Sequence, residues 1–379
     1  MALTRLDIIL AVTNDLTYDR RMNRICQALE AHGYKVGLVG RVRKNSTPLS
    51  SKPYTCFRLP CWFTTGFLFY AEYNLRLFFF LMRLPYQVAC ACDLDTALAV
   101  RLASRLKDKK SVYDAHEFFT EVPEVTHRAF VKSVWEWIGR RTIPHFDLRY
   151  TVGAELASLM SRKYRVPFEV IRNIEPFVQT QVINTNILDR KRILFYQGAL
   201  NVGRGLEVLI NAMVKLPDWT LWLAGEGDIS KPLQHTADQL GLGDRVKFLG
   251  WIVPEKLPGL MSQARLGINL RNRGSLNDFY SLPNKFFDFI QAGLPSINMN
   301  YPEYQHICLE FDCAVLLDEL SASSVVNAVS RLDQNPELLN SMVKACHEAS
   351  LEFTWEKESA KLIDLYDKLI PVRSNSIRS

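Results

Sequence analysis

The sequence predicts an α/β protein built from two doubly wound parallel sheets in tandem. Three observations carry this. The strand-like runs are almost continuously apolar, as strands covered on both faces are. They alternate with helical stretches along most of the chain. The length, 379 residues, suits two domains of ordinary size, each able to bury a full core.

The first series opens with Leu6–Val12, a buried strand. Asp19 to His32 reads as a helix, with Met22, Ile25, Cys26 and Leu29 at core spacing and Gly33 as its stop. Lys35–Val39 is the next strand, followed later by Val88–Cys92, Ser111–Tyr113 and Arg149–Val152. Phe63 to Leu84 is rich in Phe, Leu and Tyr. Glu72, Asn74, Arg76 and Arg83 interrupt it, which makes a poor transmembrane span. A core helix is the expectation there, and an interfacial helix touching a bilayer is the alternative. Glu169 to Pro176 and the polar stretch up to Arg192 read as a linker. The second series follows as Arg192–Tyr196, Thr220–Ala224, Val246–Leu249, Leu266–Leu270, Ser296–Met299 and Ala314–Leu317. Each series is a Rossmann-like sheet, so the expected domains are 1–175 and 176–355. No internal repeat or low-complexity segment interrupts the pattern.

Composition narrows the function classes. Apolar residues make up 48% and charged residues 23%, the globular range. The formal charge of +6 is compatible with anionic partners such as nucleotide phosphates or lipid headgroups. No Lys/Arg block marks a nucleic-acid arm, so no nucleic acid is expected. The eight cysteines show no paired CxxC spacing, which predicts reduced thiols in a cytoplasmic protein rather than zinc or disulfides. The first residues, Met-Ala-Leu-Thr-Arg-Leu-Asp, do not read as a signal peptide.

Ligands of open parallel sheets sit beyond the carboxyl ends of strands, so chemistry is sought there. The most informative segment is Ser281-Leu-Pro-Asn-Lys285 through Pro295. Pro283 suits a helix first turn, Phe286, Phe287 and Ile290 make a buried face, and Gly293-Leu-Pro295 ends the element. Ser281, Leu282, Pro283, Asn284 and Lys285 would hold phosphate at that helix start, and Asp288 would accept from paired sugar hydroxyls. Gly198, Gly203 and Gly205, with Arg204, follow the first strand of the second series and allow close backbone approach to a diphosphate. The alternative there is a plain strand-to-helix loop with a surface arginine. Gly225 and Trp251 end the next two strands. A tight structural turn is the expectation at Gly225, with a wall for a base as the alternative, and the backbone at Trp251 could contact that base. Asn173, in the linker, joins the substrate-binding candidates. In the first domain Asp114, His116 and Glu117 lie just past a strand, a polar cluster for a sugar or a histidine that fixes its loop. Asp93-Leu-Asp95 has the form of a metal-binding pair but precedes a helix, where capping is the expectation.

These segments together resemble a retaining glycosyltransferase of family 4, with the two-domain GT-B architecture. The resemblance runs from Asp19-Arg20-Arg21 through Tyr113–Glu117, Gly198–Gly205, Leu282–Lys285 and Ala292–Pro295 to Thr354–Glu358 with Leu365-Tyr366. It implies two Rossmann-like domains facing across a cleft. The C-terminal one binds a nucleotide diphosphate sugar, with UDP favoured, and the N-terminal one binds the acceptor. A last helix, 356–379, returns to the first domain. By the same resemblance Arg204 contacts the diphosphate, Asp288 the ribose, and His116 the donor sugar near its reacting carbon. The acceptor hydroxyl attacks from the face the diphosphate leaves, so no protein nucleophile is needed. No metal or other cofactor is expected.

The chain departs from the family pattern at Tyr280, where an acid is usual, at Ala199 in place of Arg, and at Asp288 in place of Glu. Lys285, Arg271 or Arg273 would then supply the missing positive charge. The expected setting is surface polysaccharide or lipopolysaccharide assembly on a glycan or lipid-linked acceptor, in the cytoplasm and peripheral to the membrane's inner face. A nucleotide-sugar epimerase or hydrolase, or a catalytically silent binding partner, are the alternatives.

Overall fold

Ile8–Ala11 (β1) is buried at all four positions, as a strand with helices on both sides must be. The computed structural model describes residues 5–176 and 186–370. It divides into two units, one ending at Arg172 and resuming at Glu358, the other spanning Asn173–Lys357. Residues 177–185 of the expected linker and 371–379 of the expected last helix lie outside the described residues.

The first unit adds to β1 the strands β2 (Val36–Arg41), β3 (Thr55–Leu59), β4 (Val88–Cys92), β5 (Lys110–Ala115), β6 (Leu148–Thr151) and β7 (Glu169–Val170). They form one parallel sheet in the order β3-β2-β1-β4-β5-β6-β7. The edge strands β3 and β7 escape sequence reading because their residues are only partly buried and lack an apolar run. The order of strand addition reverses between β1 and β4, which opens a crevice at their carboxyl ends.

The helices of this unit are α1 (Arg20–Ala31), α2 (Gly66–Arg83), α3 (Leu94–Leu106), α4 (Pro123–Thr126), α5 (Ala129–Thr142) and α6 (Ala154–Tyr164). Asp19 caps α1 by accepting from the Met22 N–H. Helix α2 packs on α3, and α3 on α5. The inward stripe of α2 is Phe69, Tyr73, Leu77 and Leu81, one residue per turn, so it is a core helix. Its outward stripe is apolar as well. Among the described residues no helix is long and apolar enough to cross a membrane.

The second unit holds β8 (Lys191–Gln197), β9 (Thr220–Ala224), β10 (Val246–Gly250), β11 (Ala264–Asn269), β12 (Ser296–Met299) and β13 (Ala314–Leu317). Their order is β10-β9-β8-β11-β12-β13, again parallel, with the reversal between β8 and β11. Its helices are α7 (Leu206–Met213), α8 (Ser230–Gln239), α9 (Leu257–Met261), α10 (Leu276–Phe279), α11 (Asn284–Gln291), α12 (Pro302–Cys308), α13 (Ala322–Asp333) and α14 (Pro336–Glu352). Helix α11 presents Phe286, Phe287 and Ile290 to the larger core, while the Phe289 ring lies on β11. Gly267 makes that possible: a Cβ there would sit 2.7 Å from the ring. Pro283 precedes α11 rather than opening it, and the helix follows the fourth strand of this unit.

The last helix, α15 (Trp355–Leu369), belongs with the first unit from Glu358 onward. Its Asp367 accepts from the Tyr34 hydroxyl at 2.5 Å, just past α1. Glu358, almost fully buried, accepts from the Arg172 N–H at 2.8 Å and faces the Arg172 guanidinium at 3.3 Å. The returning helix is thereby bonded to the chain where it leaves β7.

Candidate functional site

Each unit gathers polar side chains at its own strand reversal. In the second unit, Tyr196 and Gln197 end β8 and Gly198 leaves it at φ 126°, a conformation that favours glycine. The Gly198 N–H donates to Ala224 and the Gly225 N–H to Gly250, tying three strand ends together. A Cβ at Gly225 would lie 2.0 Å from the Gly198 carbonyl oxygen, so the two loops touch backbone to backbone. The Tyr196 hydroxyl donates to the Ala199 carbonyl at 2.9 Å and fixes the bend.

Lys285 projects from the first turn of α11 onto this floor. Its Nζ stands 3.8 Å from the Tyr196 ring centroid and 3.2 Å from where a Gly198 Cβ would be. Burial, with Arg271 nearby, depresses its pKa to about 7, against the pull of Asp288. Asp288, one turn on, accepts from the Gln197 side-chain amide. Gly203 and Gly205 lie against the end of β11: the Gly203 carbonyl accepts from the Asn272 N–H, and a Cβ on Gly205 would meet Leu270 at 2.7 Å. Arg204 between them is half-buried.

The structure thus separates the three cations that could replace the missing charge. Lys285 is at the loop floor. Arg271 is 2.7 Å from Asp278, and Arg273 stacks on Phe279 at 4.0 Å. Ser281 donates to the Asp278 carbonyl, Leu282 is buried, and Asn284 opens α11. Trp251 is an exposed ring beyond β10. Asn173 is half-buried in the segment whose Glu175 carbonyl accepts from Gln291, at the far end of α11 from Lys285.

In the first unit the cluster centres on His116, past β5. Its Nε2 is 3.0 Å from Asp114, its backbone N–H donates to Asp93 at 2.8 Å, and its Nδ1 faces Asp93 at 3.7 Å. Burial works against the charged ring, but the two carboxylates outweigh it and raise the His116 pKa to about 9. Asp114 is buried, yet Arg21 at 2.9 Å and His116 hold its pKa down to about 2. Arg21 also reaches the Ile171 carbonyl. Asp95 accepts from the Thr13 hydroxyl at 2.5 Å, its other oxygen has no partner, and burial beside Asp93 pushes it up to about 7.

Several expectations need correction here. Asp93 occupies the position before α3, at φ 64°, but makes no capping bond and turns its carboxylate to His116. Glu117 is exposed. Glu121 is buried against Lys132 at 2.7 Å. Cys92, Asp114 and His116 bring ligand atoms within 4.8 Å of one another. That set suits a metal poorly, because each Asp114 oxygen already accepts from a cationic partner and the His116 Nε2 is spent on one of those bonds. Arg21, Thr13, Tyr196 and Gln197 carry much of both clusters without having been chosen as site residues. Arg21 was findable, since it lies on the same buried stripe as Cys26 and Ile25 of α1, where an unpaired charge is untenable.

Residues 178–348 match the family model Glycosyl transferases group 1, and residues 19–182 match Glycosyltransferase Family 4. A GDP-mannose-dependent alpha-(1-6)-phosphatidylinositol monomannoside mannosyltransferase of Mycolicibacterium smegmatis is 26% identical over 168 residues, 43% of this chain and 44% of that protein. The lipopolysaccharide core biosynthesis glycosyltransferase LpsD of Rhizobium meliloti is 25% identical over 172 residues, 45% of this chain and 48% of its own length. The chain therefore spans under half the length of these curated relatives. Among solved structures, Anabaena HepE in complex with UDP superposes with a TM-score of 0.74 at 13% identity, over 96% of this chain and 100% of that one. At that identity the likeness is one of fold, the GT-B fold with its two parallel-sheet units.

Proposed function

We propose that this chain, which belongs to the family 4 glycosyltransferases of group 1, moves a sugar from a nucleotide diphosphate sugar to a hydroxyl of a glycan or lipid-linked acceptor. The observation that carries the reading is the loop floor of the second unit: Lys285 beneath Gly198, with Asp288 one turn further along α11 and Arg204 in the loop before α7. Negative charge develops on the departing diphosphate, so a fixed cation there lowers the barrier more than one at the acceptor. The N-termini of α7 and α11 add their dipoles at the same strand ends. Asp288, positioned by Gln197, accepts from ribose hydroxyls. Ser281 to Asn284 shape the approach to α11, and Gly225 and Trp251 line the base side.

The first unit binds the acceptor. His116, held cationic between two carboxylates, donates to a sugar hydroxyl and cannot serve as a base near neutral pH. Transfer proceeds with retention, the diphosphate itself receiving the acceptor proton. No metal is required, since Lys285 and Arg204 neutralise the leaving group. The named relatives include a GDP-mannose enzyme and a UDP complex, and UDP is favoured here. The setting is the cytoplasmic side of a membrane, in surface polysaccharide or lipopolysaccharide assembly, with peripheral contact to the bilayer.

Calorimetry with UDP, GDP and their sugars tests the donor site on wild type, Lys285→Ala and Arg204→Ala. If both variants keep wild-type affinity, the diphosphate assignment is wrong. Loss of activity on EDTA treatment, restored by Mg or Mn, would overturn the metal-free step. A nucleotide-sugar epimerase or hydrolase draws support from the titratable set around His116, and products formed from donor alone would favour it. Failure to bind any nucleotide sugar would favour a silent partner, consistent with Tyr280 in place of an acid.

A further inference from the structure

We propose that the face formed by α2, α3 and α5 of the first unit docks on the headgroup layer of an anionic lipid bilayer. This rests on the membrane-side reading above and assigns the surface that makes the contact.

A helix that covers a core normally turns polar residues outward. Helix α2 does not. Opposite its buried stripe it exposes Leu68, Ala71, Leu75 and Phe79, about one turn apart, with Leu75 58% and Phe79 47% exposed. Helix α3, packed beside it, repeats the pattern with Leu98, Leu102 and Leu106 at four-residue intervals, all exposed. Helix α5, packed on α3, exposes Phe130 and Trp137. Single exposed apolar residues need no explanation, but stripes continued over three adjacent helices do.

The charges on this face choose the occupant. Arg76, Arg83, Arg101, Arg105, Arg140 and Arg141 flank the apolar stripes. The two acids among them, Glu72 and Glu136, are already paired with Arg76 and Arg140. A groove of about 450 Å³ between α3 and α5 has Leu98 and Leu102 in its lining and Arg101, Arg105, Arg141 and His145 around them. That is apolar depth ringed by arginines, the chemistry of a phosphate headgroup with its acyl chain. Trp62, 84% exposed, stacks under Arg76 at 4.8 Å, and Glu72 holds its loop through the Trp62 and Phe63 N–H groups. Trp137 has Arg141 beside it at 5.9 Å. Exposed tryptophans with neighbouring arginines belong at a membrane–water interface. A second copy of the chain is the wrong partner, because it would set arginine against arginine.

Flotation of the full-length protein with phosphatidylcholine vesicles, with and without phosphatidylglycerol, tests this. Binding is expected only with phosphatidylglycerol present, falling as salt rises. Arg101→Gln with Arg105→Gln should weaken it about 30-fold, at about 1 kcal/mol for each arginine. Leu75→Ser with Phe79→Ser should weaken it by a similar factor while thermal melting shows both variants folded. Equal binding to both vesicle types, no binding, variants that bind as wild type, or self-association through this face would each overturn the proposal. Transfer to a water-soluble acceptor, measured in the same preparations, reports on the donor site separately. Vesicle binding without transfer sinks the transferase reading alone, and transfer without vesicle binding sinks this one alone.

Discussion

Raising the pH should weaken nucleoside diphosphate binding steeply, and Lys285 sets the slope. Free, this lysine has its pKa depressed to about 7 by burial and by Arg271. A bound diphosphate supplies the missing counter-charge and returns the group towards the ordinary lysine value of about 10.4. Below about pH 7 the lysine is already charged and binding takes up little. Between about pH 7 and 9 the free site must gain a proton to bind, while the nucleotide's own last phosphate proton, lost near pH 6, no longer changes. The two pKa values give a loss in affinity of about fiftyfold over that window, about 2.3 kcal/mol. At about pH 8 the uptake is about 0.9 proton per nucleotide bound. Calorimetry in Tris and in HEPES reads that uptake from the difference in buffer ionisation heat. Lys285→Arg keeps its charge throughout, so its affinity should be flat over the same window. A wild-type affinity constant to within about twofold from pH 7 to 9, or an equal slope in Lys285→Arg, refutes the placement of Lys285 against the diphosphate.

Three further outcomes follow from the geometry. Gly225→Ala should abolish nucleotide binding and cost roughly 2–4 kcal/mol of stability, because its Cβ would lie 2.0 Å from the Gly198 carbonyl at φ 150°; calorimetry and urea denaturation check both parts. The His116 ring should remain an imidazolium until about pH 9 by NMR. Since its folded pKa is raised, its contribution to stability is complete below the unfolded value of about 6.5 and fades as pH rises through about 9. Glu358→Ala should destabilise the first unit by about 3 kcal/mol in urea melts, since it leaves the Arg172 N–H and guanidinium without their buried acceptor.

The strands of each sheet were legible where burial is complete. Ile8–Ala11 and Val88–Cys92 are apolar because helices cover both faces, and that pattern needs no tertiary knowledge. Thr55–Leu59 and Glu169–Val170 sit at sheet edges, where half-exposed positions carry mixed residues and the pattern fades. The glycines at 198, 203, 205 and 225 were readable as backbone devices, and the positive φ at each agrees. Partnerships were not readable, because they join residues far apart in sequence. Nothing local tells that Gln197 bonds Asp288, that Tyr196 carries Lys285, or that Asp93 turns from its helix to His116. The same holds for α2: its inward stripe could be read from spacing, but its outward apolar stripe gains meaning only beside α3 and α5.

The bond between Arg172 and Glu358 has a consequence for biosynthesis. The second unit is one uninterrupted stretch of chain, whereas the first closes only when Glu358 and Asp367 arrive. On the ribosome, domains usually mature in the order in which they emerge. Here the order is inverted: the segment translated first must wait, with Tyr34 and the Arg172 N–H unsatisfied, until the whole second unit has been made. A stop codon near residue 355 would therefore injure the first unit and spare the second. Until residues 358–370 have been made, the nascent first unit would depend on chaperones for longer than its position in the chain suggests.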